Sequence, residues 1–205
     1  QSKINERKSL AVASDCHESL LAIIASIGKR IKNLHKVFAP SLLEVTAIEW
    51  IANTIEPHFK MVSSELINTR ADCAHWNNYA SQKIASPSDV GIHNMLKTNG
   101  ELVFLDFEYA GLDDLSKLAA DWTLQPESKL DEKKEEIFIN YLLRGMPNHI
   151  DDSWVERFND IKELSHIKWC LIMLNSLHNR TLSMEQLNKT KNYYYNNKER
   201  LSRKN

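Results

Sequence analysis

Glycine is scarce in this chain of 205 residues: five in all, at Gly28, Gly91, Gly100, Gly111 and Gly145, no two closer than nine positions. A loop that cradles phosphate needs clustered glycines, because backbone amides approach the anion only where no Cβ intervenes. The spacing therefore excludes a Walker A loop, a dinucleotide-binding fingerprint and a kinase-type glycine-rich loop within these residues. Cysteine is nearly as rare, and Cys16, Cys73 and Cys170 are too far apart for a zinc knuckle or a local disulfide framework. Three thiols fit a reducing compartment, so the cytoplasm is the expected location. Long apolar runs are missing too: Leu20–Ala25 and Trp169–Leu174 fall far short of the roughly 18 residues a membrane span requires. No basic-then-apolar leader opens the chain, so neither secretion nor a membrane partner is expected. An excess of positive charge is also absent, with 26 Lys+Arg against 27 Asp+Glu, which argues against a nucleic-acid partner. The 42% of hydrophobic residues is nevertheless enough to bury a core.

Most of the text reads as helix. Leu20, Ile24, Ile27, Ile31, Leu34 and Phe38 repeat at spacings of four and three, the seam of a core-facing helix. Pro40 interrupts it, and Ser41-x-x-Glu44 then has the form of a capping box. Leu42, Val45, Ile48, Ile51 and Ile55 continue an apolar face up to a boundary at Pro57, and a third helix is expected over Phe59–Ala80. Beyond Gly111 the chain returns to helix: Asp113 and Asp114 as N-caps of Leu115–Leu124, a helix from about Leu130 to Arg144 closed by Gly145, and a long one from Ser153-x-x-Glu156 towards Leu174. Ser183-x-x-Gln186 opens the last. The Lys-, Asn- and Tyr-rich tail from Asn188 is either a solvated helix or a frayed end, and its cations Lys198, Arg200, Arg203 and Lys204 read as solvated. Trp122, Trp154 and Trp169 fall on apolar helical faces and are expected mainly in the core.

The composition changes between Ser86 and Glu108, SPSDVGIHNMLKTNGELVFLDFE. Asn99-Gly100 is a strong hairpin signal, since both central residues of a type I′ turn need positive φ. Flanking strands are expected over His93–Lys97 and Glu101–Phe107. With a two-residue loop, facing positions sum to 199, so Asn94 faces Leu105 and Asp106 faces His93. Facing Cβ atoms lie about 4.5–5.5 Å apart, which brings Asn94 within reach of Asp106, while Asp89 sits in the loop feeding the first strand. Three oxygen-bearing side chains thus converge at one end of a short hairpin. Such a set suits phosphoryl transfer: Mg²⁺ takes hard oxygen ligands, typically one or two carboxylates completed by phosphate and water. A further carboxylate can orient the acceptor hydroxyl and take its proton.

The stretch SPSDVGIHNMLKTNGELVFLDFEYAGLDD resembles the catalytic and metal-binding segments of the aminoglycoside phosphotransferase-like enzymes, a group with a protein-kinase-like fold that includes choline and homoserine kinases. The resemblance implies Asp89 as catalytic base, Asn94 as first Mg²⁺ ligand and Asp106 as second, with Phe107-Glu108 following where protein kinases carry Phe-Gly. Ile167–Asn175 (IKWCLIMLN) is similar to a C-lobe helix of bacterial members, and the likeness extends over about Ser86–Asn175. Two features depart from the pattern. Pro87 stands where the commoner motif has His, and no strand-rich nucleotide lobe, with its glycine loop and strand lysine, precedes residue 86.

The expectation is therefore a mainly α (α+β) chain, residues 1–205 as one domain. It would be the helical C-terminal lobe of a protein-kinase-like fold, with a small β-hairpin at the catalytic loop. Beginning at Gln1 and without the nucleotide lobe, it is expected to be a fragment or a reduced protein, poorly active by itself. The intact enzyme would use Mg²⁺ and ATP or GTP to phosphorylate a hydroxyl of a small molecule of aminoglycoside, sugar or amino alcohol type. The alternative is a non-catalytic kinase-like binding module. Glu108 is open between assisting a metal and pairing with a helix end; His93 is expected to make a structural hydrogen bond, with a role near the phosphate as the alternative. No histidine spacing suggests zinc. Acceptor identity and oligomeric state are not legible.

Overall fold

A computed structural model of the chain describes residues 10–14, 16–17, 19–70, 72–77, 83–128, 130–146, 150 and 152–202. It divides into two compact units: the described residues of Gln1–Ser19 with Cys73–Ile161, and Leu20–Asp72 with the described residues of Lys162–Asn205. The architecture is mainly helical with two small two-stranded antiparallel sheets, the mainly α (α+β) class expected. Among the described residues no helix is long and apolar enough to cross a membrane.

In the second unit, helix α1 (Leu20–Leu34) buries Leu20, Ile27, Ile31 and Leu34. Its seam ends there. Phe38 is 90% exposed, because the chain leaves the helix axis at His35–Lys36 and passes through Ala39 at φ 45°. Helix α2 (Leu42–Trp50) starts on the expected capping box: the Ser41 hydroxyl accepts from the Glu44 amide, and the Glu44 carboxylate accepts from the Ser41 amide. Its buried face is Glu44, Ala47, Trp50, then Ile51 and Ile55, while Leu42 is 84% exposed. Of the expected face Ile51 and Ile55 are buried, Val45 and Ile48 half-buried and Leu42 exposed, while Glu44 is buried with Arg180 Nη2 3.3 Å from its Oε2.

Pro57 does not break the helix. One π turn (Ile51–Ile55) precedes α3 (Glu56–Arg70), with the Glu56 amide bonding the Ile51 carbonyl five residues back. Proline has no N–H and its ring collides with the carbonyl four residues earlier; the widened turn relieves that conflict and the helix runs on. It stops at Arg70, so Trp76 belongs to a separate short helix, α4 (Ala74–Asn77); the last residues of the expected Phe59–Ala80 helix lie outside the described residues.

In the first unit, strand β1 (Lys83–Ser86) pairs antiparallel with a strand Gly111–Asp114, and between them lies the hairpin of β2 (Met95–Thr98) and β3 (Glu101–Phe104). Gly111–Asp114 is therefore β4, where sequence suggested only a helix start, and β1 is a strand ahead of residue 86. On the far edge of β4, Val12 forms a parallel bridge to Leu112: the Ala13 amide donates to the Leu112 carbonyl (3.0 Å) and the Leu112 amide to the Ala11 carbonyl (2.8 Å). Gly111 permits this approach, since a Cβ there would lie 2.5 Å from the Ala11 oxygen and 2.6 Å from the Ala13 nitrogen.

Helix α5 (Leu115–Leu124) follows directly, capped by Asp114, which accepts from the Ser116 amide. Helix α6 (Glu132–Gly145) is capped by Asp131; Gly145 is its last residue, with no positive φ, so it does not act as a left-handed C-cap. Helix α7 (Ser153–Met173) begins in the first unit and ends in the second. Trp154 is fully buried, whereas Trp122 and Trp169 are half-buried. The tail is helix α8 (Met184–Ser202), started by the Ser183 hydroxyl accepting from the Gln186 amide. It is not merely solvated: Leu187, Thr190, Tyr194 and Leu201 form a buried stripe at helical spacing and Arg200 is half-buried, while Arg203 and Lys204 lie outside the described residues.

Candidate active site

The segment 83–114 consists of two nested antiparallel ladders. The outer one pairs Lys83 with Asp114, Ile84 with Asp113, Ala85 with Leu112 and Ser86 with Gly111. The inner one pairs Met95 with Phe104, Leu96 with Val103, Lys97 with Leu102 and Thr98 with Glu101, the register that a two-residue Asn99-Gly100 loop requires. Both loop residues have positive φ, 49° and 84°, as a type I′ turn demands. Two connectors remain between the ladders, residues 87–94 and 105–110. Because both ends of each connector are fixed by paired strands, the connectors run side by side. Asp89 and Asn94 lie on the first, Asp106 on the second.

Side-chain geometry tightens this arrangement. The Leu105 amide donates to the Asn94 carbonyl (2.8 Å), extending the inner ladder by the expected Asn94–Leu105 contact. Asp106 is the next residue. Strand order is shorter than expected, since residues 92–94 form a 3₁₀ turn and β3 ends at Phe104. The buried Asn94 donates from Nδ2 to the Asp89 carbonyl (3.1 Å), which leaves its Oδ1 as the acceptor end of the amide. His93 Nε2 lies 3.7 Å from Asp89 Oδ2, and the His93 ring occupies the space a Cβ on Gly91 would fill. His93 thus makes a weak ion pair with Asp89 when protonated, beside its packing role.

Backbone strain concentrates here. Ser88 has φ 66° and Asp106 φ 57°, left-handed values uncommon outside glycine, although Asp tolerates them better than most. The strain at Ser88 is held by buried bonds: its amide donates to Ser86 Oγ (2.9 Å) and its hydroxyl to Asp113 Oδ2 (3.0 Å). Lys117 Nζ reaches the same Asp113 oxygen at 3.0 Å and the Ser88 hydroxyl at 3.4 Å. Asp113 is therefore the anchor of the loop that carries Asp89, not a helix cap. Its i,i+4 spacing to Lys117 was the signal in the sequence. Asp114 has a second role besides capping, a pair with the fully buried Arg157 at 3.1 Å. Burial pushes the Asp114 carboxyl up from its ordinary range, and the Arg157 charge opposes that rise.

The electrostatics of the connectors are acidic. The Tyr109 phenol is raised above its ordinary value, chiefly by its hydrogen bond to Glu108 and that residue's charge, then by burial and by the charges of Asp106 and Asp89. Asp89, Asp106 and Glu108 therefore share one electrostatic neighbourhood. Among the described residues no group of three or more His, Cys, Asp or Glu could by itself enclose a metal. The donors present, an amide oxygen on Asn94 and a carboxylate on Asp106, instead fit Mg²⁺, which takes few protein ligands and keeps phosphate and water for the rest.

No protein-family model matches the chain, and no curated protein matches it in sequence. Among solved structures it is similar to the ethanolamine kinase of Plasmodium vivax, with 15% identity and a TM-score of 0.50 over 85% of this chain and 47% of that one. The chain thus spans less than half the length of that kinase. At this identity the likeness concerns the fold alone, a mainly helical one with small antiparallel sheets, similar to a kinase C-lobe.

Proposed function

We infer that this chain carries the catalytic segment of a phosphotransferase that moves the terminal phosphoryl group of a nucleoside triphosphate, ATP or GTP, to a hydroxyl of a small molecule. One observation carries the reading: the nested ladders run the Asp89–Asn94 connector beside Asp106, with the Asn94 amide tied to the Asp89 carbonyl. Asp89, its side chain 39% exposed and its backbone pinned by the Ser88 anchor, orients the acceptor hydroxyl and takes its proton. Asn94 Oδ1 and the Asp106 carboxylate would hold Mg²⁺, which when bound neutralises charge on the transferred phosphates. Amino alcohols, sugars and aminocyclitols are the acceptor classes the resemblance suggests. The odd number of cysteines, spaced too widely for a local disulfide framework, supports a reducing location such as the cytoplasm.

A second reading, a kinase-like binding module without turnover, is favoured by the glycine count, which leaves no phosphate-cradling loop in these residues. Both readings accommodate the apolar side chains exposed on the hairpin, Leu102 and Phe104 on one face and Leu96 and Val103 on the other. Coupled detection of ADP or GDP release over a panel of hydroxyl compounds separates the two. Asp89→Asn should lower turnover by about three orders of magnitude while leaving the melting curve unchanged, since the carboxylate is half exposed. Turnover retained in that variant removes Asp89 from the role of base.

A further inference from the structure

The second unit holds a cleft that the phosphotransferase reading does not use. It encloses about 330 Å³ and is lined by Arg30, Asn33 and Leu34 from the last turns of α1 and by Asn175, His178 and Asn179 after α7. Leu34 is its buried apolar floor, and the rest of the lining is polar. No described residue hydrogen-bonds or ion-pairs with the side chains of Arg30, Asn175, His178 or Asn179, so four polar groups face one concavity with their bonding capacity free. Asn33 accepts from Lys36 Nζ (3.2 Å), which leaves its NH₂ as a donor.

Charge decides which ligand suits the cleft. No Asp or Glu occurs from Leu20 to Leu43 or from Ser165 to Met184, the stretches that supply both walls, whereas the first alone carries Lys29, Arg30, Lys32 and Lys36. Two carboxylates from outside these stretches pair with them: Glu44, buried, with Arg180, and Glu56 with His35. Opposing this, α1 and α7 both end near the cleft, and each helix C-terminus carries about −0.5 charge. Those partial charges are screened and partly used up, since the His35 and Lys36 amides cover the Ile31 and Asn33 carbonyls and the Leu174 and Leu177 amides those of Leu171 and Leu174. The formal cations prevail. Arg30, with its fork of donors, suits a phosphate or carboxylate, and the carboxamides, which donate and accept, suit hydroxyls. The volume would hold about ten waters at roughly 30 Å³ each, too large for a bare anion and adequate for a small substituted sugar.

We propose that this cleft is a binding site for a hydroxylated phosphate ester, with Arg30 on the phosphate and Asn33, Asn175 and Asn179 on the hydroxyls. The chemistry is shared by a soluble sugar phosphate and by a phosphorylated lipid headgroup. The test is isothermal titration of ribose 5-phosphate, inorganic phosphate and ribose into the full chain, beside sedimentation with phosphatidylcholine vesicles with and without phosphatidic acid. Ribose 5-phosphate should bind with a Kd below about 1 mM, more tightly than inorganic phosphate, and ribose should not bind measurably. Arg30→Gln should weaken binding about tenfold or more with an unchanged melting curve, because no described residue bonds to the Arg30 side chain; Asn175→Ala should weaken ribose 5-phosphate but not inorganic phosphate. Binding confined to the phosphatidic acid vesicles and lost in Arg30→Gln assigns the site to a headgroup. Absence of binding to every probe, or binding that Arg30→Gln leaves intact, overturns the proposal.

Discussion

Mild acid should loosen the second unit, and the reason is two buried imidazoles. His166 is fully buried and His58 nearly so. The Tyr194 ring stacks on His166 (5.2 Å between centroids, 19° between planes), and its hydroxyl lies 3.2 Å from His58 Nδ1. Among the described residues no hydrogen bond of good geometry reaches either nitrogen of His166, and the Tyr194 backbone offers a protonated ring only weak compensation. Burial, aggravated by the neighbouring His58 and by Arg200 and Lys198, pushes His166 down to about 3; burial and Lys198 push His58 down to about 4. Both lie below the ordinary value of 6.5, so the unfolded chain binds protons that the folded chain refuses. The stability they support is complete above about pH 6.5 and declines as pH falls towards 4 for His58 and 3 for His166.

At about pH 5 each unfolded imidazole is some 1.5 units below its pKa, which corresponds to about 2 kcal/mol per histidine. Glu163, raised by burial and by Glu65, and Asp114, raised by burial, take protons in the folded state and work the other way. A net loss of roughly 2–4 kcal/mol between about pH 7.5 and 5 is expected, large against the usual ~5–15 kcal/mol of a whole domain. Glu44 and Asp131, lowered chiefly by backbone hydrogen bonds from Ser41 and Lys134, titrate below this window. Urea unfolding followed by circular dichroism at several pH values gives the slope. His166→Phe keeps a flat ring on Tyr194 and removes one proton, so the slope between about pH 5 and 6 should fall by roughly 1.2 kcal/mol per unit. Equal slopes in the two proteins would refute the argument that His166 is buried neutral.

Gly111→Ala should destabilise the first unit by roughly 1–3 kcal/mol, because the new Cβ meets backbone atoms of Ala11 and Ala13 that cannot retreat without losing their bonds to Leu112; amide exchange at Ala13 and Leu112 should quicken, and unchanged protection there would count against the bridge. Gly145→Ala, with nothing within 4 Å at the end of α6, is the control and should be neutral or stabilising by about 0.5–1 kcal/mol. Lys117→Met leaves Asp113 buried without its cation, removes the 3.6 Å partner of Asp121 and should cost about 3–5 kcal/mol, whereas Lys117→Met with Asp113→Leu and Asp121→Asn should recover part of it in thermal melts; a triple variant as unstable as the single one contradicts the anchor.

The hairpin was legible because its signal is local. Asn99-Gly100 can satisfy two positive φ values at little strain, the loop length then fixes the register, and the pairs from Met95–Phe104 to Thr98–Glu101 follow. The start of α5 was legible for the same reason, Asp114 bonding an amide two residues on. The outer ladder was not, because Gly-Leu-Asp-Asp has poor strand propensity and forms β4 only through partners distant in sequence, β1 on one edge and Val12 on the other. Pro57 misled in the opposite direction: a local rule predicted a break, and a π turn accommodated the ring while burial of Ile51 and Ile55 kept the helix together. Phe38 and Leu42 followed the apolar spacing and are exposed, since spacing specifies a face only while the helix lasts and only where the next element covers it.

The candidate site is best argued from four aspartates of one segment that the fold treats in two ways. Asp113 and Asp114 are buried, and each faces a buried cation, Lys117 or Arg157. A carboxylate in that position can neither move nor give up its partner without exposing an uncompensated charge to a poorly polarisable surrounding, so these two are committed to holding the loop. Asp89 and Asp106 stand on the solvated connectors: Asp89 has a partly exposed histidine at 3.7 Å, and Asp106 has no cation partner among the described residues. Their positions are nevertheless specified, one by the Ser88 anchor and the Asn94 amide, the other by a left-handed backbone one residue beyond the last inner-ladder bond. Fixed position combined with uncommitted charge is the condition a proton-accepting or cation-binding group must meet. Within this segment the aspartates that satisfy it are 89 and 106, and the buried pair supplies the rigidity that makes it possible.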